Sequence, residues 1–175
     1  MVISENTNIK QADAGDVLLI SVLATTAFYE AYFEQDDPHD LAGYIVKSFS
    51  PSQIENELAD TDSTFFIVFV NEKAVGYAKL LANSRDPSVN TSKTIELKRI
   101  YVIERSWRKG VGEMLLEHCT EVARQLGNES IWLGVWEQNK RGVSFYAKHG
   151  FVKVGTLEFP YGDSVGTNNV LEKRL

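Results

Sequence analysis

Between Arg105 and Leu115 the chain reads RSWRKGVGEML, which sets the adjacent cations Arg108 and Lys109 and the glycines Gly110 and Gly112 in front of a helix. The first turn of a helix leaves backbone N–H groups without intrahelical partners, and its dipole makes that end partially positive. Glycine has no Cβ, so an anion can approach those N–H groups closely. The combination suits a phosphate or diphosphate; a basic loop capping an ordinary helix would read the same way. A Walker loop requires GxxxxGK[ST], which this segment lacks. A dinucleotide fingerprint requires a third glycine where Leu115 stands, and no acidic residue ends a following strand at the usual distance.

Other chemistries find less support. His39, His118 and His149 are scattered without metal-ligand spacing, so no metal site is expected. The single cysteine, Cys119, excludes an intrachain disulfide and lies on an apolar helix stripe, as a buried structural thiol would. Net charge −6 and a pI near 5.1 argue against a nucleic-acid partner and are compatible with a cationic one. The longest apolar run of the interior, Phe65 to Val70, is too short to span a bilayer, and the opening MVISENTNIK lacks an apolar signal region. The expectation is a soluble cytoplasmic protein without a membrane partner. With 175 residues, 43% apolar and 24% charged, residues 1–175 read as one domain.

The elements that must position the glycine turn follow from periodicity. Val111, Met114, Leu115, His118, Cys119, Val122, Ala123 and Leu126 recur at the spacing of one buried helix face, which Gly127 stops. Upstream, Asn8 to Ala12 reads as a strand. Asp13 or Asp16 caps a helix carrying Val17, Leu18, Ile20, Val22, Leu23 and Phe28 to near Phe33, and Asp37-Pro38 and Ser50-Pro51 each open a further helix. Thr64 to Val70 and Ala74 to Leu81 form a hairpin over a short polar connection, and Ser84 to Ser92 is a polar loop. In Thr94 to Ile103, Ile95 and Leu97 share one face while Ile100 and Val102 take the opposite parity. This fits either a β-bulge near Lys98-Arg99 or a strand buried on both faces. Ser130 to Trp136 is a buried strand, Asn139 opens a helix with Val143, Phe145 and Tyr146 that Gly150 stops, and Phe151 to Val154 and Val165 to Leu175 are strands. This order predicts a mixed α/β layer with one right-handed βαβ crossover.

Three separated segments, IELKRIYV, RKGVG and Asn139 to Phe151 (NKRGVSFYAKHGF), together resemble the GCN5-related N-acetyltransferases, the GNAT family, over essentially the whole chain. IELKRIYV and IWLGVWEQN, with AFYEAYF and SFSPSQIENEL, are similar to its PaiA-type polyamine acetyltransferase subgroup. The resemblance implies the GNAT fold: a mixed central sheet of about six to seven strands flanked by helices, with a bulged fourth strand. It also implies acetyl-CoA as cosubstrate, with no metal, and a small-molecule amine as acceptor. The R/Q-x-x-G-x-G/A register of that family falls on Trp107, Arg108, Lys109, Gly110, Val111 and Gly112, with Trp107 departing from the usual Arg or Gln. Main-chain groups of Ile100, Tyr101 and Val102 are implied to meet the pantetheine arm. Asn139 would bond that arm where the two parallel strands part, and Gly142 replaces the usual Ala of its motif.

In that context Tyr146 is the acid that protonates the departing thiolate, where an isolated helix would read it as a core aromatic. An alkylammonium of pKa about 10 must lose a proton before it can attack a thioester. Glu96 is the favoured acceptor of that proton through water, against an ion-paired role beside Lys98, with Glu104 as a substitute. Glu34, Asp36, Asp37 and Asp40 either attract a cationic acceptor or form a solvated face. The expected activity is acetyl transfer to a primary amine of a small molecule, a polyamine among the options. Protein or peptide N-acetylation and a non-catalytic CoA-binding regulatory domain remain as alternatives; acceptor and oligomeric state are open.

Overall fold

The computed structural model describes residues 6–175; the reading of MVISENTNIK falls in large part on residues 1–5, outside the described residues. A first strand β1 (Thr7–Gln11) is followed by α1 (Val17–Tyr32), α2 (Pro38–Phe49) and α3 (Pro51–Ala59), then β2 (Ser63–Val70), β3 (Lys73–Leu81) and β4 (Thr94–Val102). After these come α4 (Val111–Gln125), β5 (Ser130–Trp136), α5 (Lys140–Lys148), β6 (Val152–Tyr161) and β7 (Ser164–Arg174). The strands form one seven-stranded sheet in the order β1-β2-β3-β4-β5-β7-β6. Only β4 and β5 run parallel.

Local chemistry accounts for most boundaries. The Asp37 side chain accepts from the His39 and Asp40 amides and Ser50 from that of Gln53, each ahead of a proline at the first helical position. The β2–β3 hairpin turns on Asn71 and Glu72, both left-handed (φ 49° and 63°), as a two-residue connection requires.

The structure corrects expectations at three elements. In α1 the buried face is Ile20, Leu23, Ala24, Ala27 and Phe28, whereas Leu18 and Val22 are 68% and 64% exposed. The helix is apolar all round, so periodicity could not select its inner side; by length and composition Ala14–Tyr32 would also suffice to cross a membrane. In α4, Leu116 is buried and Leu126 is exposed, because Leu126 sits past the last full turn. Strand β6 continues to Tyr161 through Pro160, which an edge strand tolerates because its missing N–H costs no ladder bond.

At β4 the bulge reading holds. Consecutive residues Lys79 and Leu80 of β3 face Arg99 and Leu97, which leaves Lys98 as the extra residue. Thr94 to Leu97 are also buried on both faces, so each of the two readings describes part of the strand. The parallel ladder of β4 and β5 contains three pairs, Thr94 with Ser130, Ile95 with Ile131 and Glu96 with Trp132, and stops at the bulge. Beyond it the two strands no longer pair, and their backbone groups face a gap.

An ion-pair cluster fixes the bulge from outside. Glu57 on α3 takes both guanidinium nitrogens of Arg99, at 2.7 and 3.0 Å, and Lys79 Nζ at 2.9 Å. Burial pushes the Glu57 carboxyl up, but bonds from Arg99 and Lys79 outweigh it and hold the group below the usual carboxylate range.

Candidate active site

The gap between β4 and β5 opens into a cavity of about 790 Å³. Its walls bring together Glu96, Ile100, Tyr101, Val102, Trp107, Arg108, Gly110, Gly112, Asn139 and Tyr146 from β4, the turn before α4, and α5. Two residues of the expected set lie elsewhere. Val111 is buried in the core, and Lys109 faces a separate hollow beside Lys73 and Met114. The helix turns away from the cavity at that point, so only their main chain remains available to a ligand there.

The glycine turn has the geometry that close approach needs. Gly110 caps α4 in the left-handed region (φ 83°), and Arg108 is also left-handed (φ 60°), so the chain doubles back twice before the helix. A Cβ at Gly112 would come no nearer than 3.9 Å to Phe145 or Val102, so the face of the first turn is open. On β3, Gly76 lets β4 lie close, since a Cβ there would meet the Tyr101 carbonyl oxygen at 2.7 Å. The indole of Trp107 donates from Nε1 to the Val102 carbonyl at 2.6 Å and tethers the turn to the end of β4.

The two groups expected to move protons sit in contrasting surroundings. Glu96 is buried and accepts from Ser84 Oγ at 2.5 Å and Lys98 Nζ at 3.1 Å. The ion pair foreseen for it is present, and the same carboxylate borders the cavity. Tyr146 packs edge-on against Phe145 and Phe151, and burial pushes its phenol well above the ordinary tyrosine value. It therefore keeps its proton at neutral pH, as a donor must. Asn139 Oδ1 accepts from the Gly142 amide at 2.9 Å and caps α5. A Cβ at 142 would meet the Asn139 Nδ2 at 2.8 Å, so glycine there gives the capping side chain room.

The opposite end of the cavity was largely illegible in the sequence. Tyr44 of α2 lies against Phe28, Phe159 and Tyr161, with ring centroids at 4.7, 5.9 and 5.4 Å. Asp36, Asp37 and Asp40 share this end; Glu34 does not. Burial raises the Asp36 carboxyl above the usual range, against the opposing pull of the Tyr161 hydroxyl that faces it. Tyr32 adds a further phenol, raised by burial, whose hydroxyl lies toward Tyr101 and Asn139. Among the described residues, no group of three or more His, Cys, Asp or Glu could hold a metal ion.

A profile of the acetyltransferase (GNAT) family matches residues 23–151, from α1 through the glycine turn to the end of the α5 motif. The chain belongs to the GNAT family. It is accordingly an N-acetyltransferase that uses acetyl-CoA. An uncharacterized N-acetyltransferase of Lactobacillus delbrueckii subsp. lactis is 27% identical, over 95% of this chain and 96% of that protein. A spermidine N(1)-acetyltransferase of Thermoplasma acidophilum is 27% identical over 77% of this chain and 76% of its own length. In fold, this GNAT protein is similar to the PaiA N-acetyltransferase of Thermoplasma acidophilum, solved in complex with coenzyme A. The TM-score is 0.80 at 21% identity, covering 97% of this chain and 99% of that one.

Proposed function

We propose that this acetyltransferase acts on a primary amine of a small cationic molecule, with polyamines as the acceptor class. The observation that carries the reading is the far end of the cavity, where Asp36, Asp37 and Asp40 stand beside the rings of Tyr44, Phe159 and Tyr161. Carboxylates attract an ammonium group and aromatic faces stabilise one that has shed water, so an alkyl chain with separated positive charges matches both. The spermidine acetyltransferase relative points the same way.

In this reading the diphosphate of acetyl-CoA rests on the main-chain amides of the Arg108 to Gly112 turn. The pantetheine arm lies along Ile100 to Val102, where β4 has lost its parallel partner, and Asn139 Nδ2 faces it. Glu96 takes the ammonium proton through water, which frees the amine lone pair to attack the thioester carbonyl. The C–N bond forms, the C–S bond breaks, and Tyr146 gives its proton to the departing sulfur.

The test is release of free thiol from acetyl-CoA in the presence of polyamines, monoamines, amino acids and peptides, with acetylated product confirmed by mass. Polyamines should give the highest kcat/KM, and Asp36→Asn with Asp40→Asn should raise KM for a polyamine more than for a monoamine. A peptide preferred over every polyamine would refute the acceptor class.

A further inference from the structure

Where the family register carries Arg or Gln, this chain has Trp107, and a guanidinium from another element covers its ring. Arg141, in the first turn of α5, lies over the Trp107 ring with its Cζ 3.7 Å from the centroid. The indole cannot swing away while its Nε1 is bonded to the Val102 carbonyl. The turn that carries Arg141 is fixed in its turn by the Asn139 cap on the Gly142 amide. Four residues on, and so on the same helix face, Phe145 sits opposite Gly112, 3.9 Å from where a Cβ would be. Arg141 is thereby aligned with the mouth of the glycine turn and borders the same cavity as Arg108 and Gly110.

Arg108 and Arg141 both border that mouth, with Glu104 the carboxylate that offsets them in part. Among the described residues neither Arg108 nor Arg141 takes part in an ion pair. Burial disfavours the charged form of Arg141, and the neighbouring Arg108 disfavours it further, with Tyr32 and Glu104 in partial opposition. Two like charges at the mouth of one turn, only partly offset by Glu104, are eased by an anion between them. Stacking also uses only the flat face of the guanidinium. Its edge, with the N–H donors in a planar fork, stays free for two oxygens of one phosphate.

We propose that Arg141, held on the face of Trp107, binds the diphosphate of acetyl-CoA, supplying from α5 a cation beside the turn where position 107 carries an aromatic. The inference rests on the reading that the glycine turn receives this diphosphate, and the experiment separates the two. Calorimetric affinities for CoA and for dephospho-CoA are measured on the wild type, Arg141→Gln, Arg141→Lys and Gly112→Phe, with melting curves to confirm folding. Arg141→Gln keeps a flat group on the indole but removes the charge. It should weaken both ligands at least tenfold, about 1.4 kcal/mol, and make affinity less sensitive to salt. Arg141→Lys, folded and still charged but without the planar fork, should fall between. If Gly112→Phe loses affinity while Arg141→Gln keeps it, Arg141 only packs on Trp107 and the proposal fails. If Arg141→Gln weakens CoA but not dephospho-CoA, the residue serves the 3′-phosphate and the diphosphate assignment fails. Unchanged affinity in Gly112→Phe overturns the placement of the diphosphate, and this inference with it.

Discussion

Replacing Tyr146 by Phe removes one hydroxyl and keeps the ring between Phe145 and Phe151, whose centroids lie at 5.3 and 5.6 Å. Packing should therefore be nearly unchanged, and any loss of rate reports on the proton. Burial makes this phenol a weaker acid than free tyrosine. The thiolate it would protonate is already a fair leaving group, since a free thiol has a pKa of about 8.5. Donation should help modestly, so turnover in Tyr146→Phe should fall roughly ten- to a hundredfold, about 1.4 to 2.7 kcal/mol of transition-state stabilisation. The raised phenol also means that wild-type activity should show no loss from Tyr146 ionisation until the pH is above the ordinary tyrosine value of about 10. The assay is steady-state thiol release at saturating acetyl-CoA, alongside the melting temperature and the CoA dissociation constant. A Phe variant with normal stability, normal affinity and more than about half the wild-type turnover would refute the acid role, because that corresponds to under about 0.5 kcal/mol.

Glu96→Gln should lower turnover most at low pH and leave CoA affinity intact, whereas an unaltered pH–rate profile would pass the role of base to Glu104 or to bulk water. Gly112→Phe should weaken CoA at least tenfold in calorimetry, since the open face of the first turn of α4 would be filled. Glu57→Ala leaves Arg99 and Lys79 buried without their partner and should cost about 3 to 5 kcal/mol in urea unfolding. Because the folded Glu57 carboxyl lies below its unfolded value, the stability it adds is present above about pH 4.5 and is lost as the pH falls through the folded value. Urea midpoints for Glu57→Gln should accordingly vary less with pH across that acid range than those of the wild type.

Much of this architecture was legible because it is encoded locally. Asp37-Pro38, Ser50-Pro51 and Asn139 announce helix starts through hydrogen bonds that span two or three residues. The change of parity in TIELKRIYV narrows this strand to a bulge or burial on both faces, and both are present, the bulge at Lys98 and the double burial from Thr94 to Leu97. What stayed hidden depends on contacts between distant segments. The proposed acceptor end joins Asp36 and Tyr44 to Phe159 and Tyr161, more than a hundred residues apart in the chain and united only by the path of β6. The Trp107 and Arg141 stack is likewise invisible to spacing, although an aromatic in place of Arg or Gln was its one signal.

The early end of the β4–β5 ladder divides the molecule's inheritance into two kinds. In the proposed reading the acetyl donor is met largely by peptide groups and by the absence of side chains at glycines, which constrains the residues at few positions. Substitutions can accumulate around such a site while its shape persists. The proposed acceptor side is written in carboxylates and rings near the ends of α1, α2 and the β6–β7 hairpin, where an exchange would change the charge and shape offered to an acceptor. On that proposal the same scaffold could change its acceptor without relearning how to hold its acetyl donor.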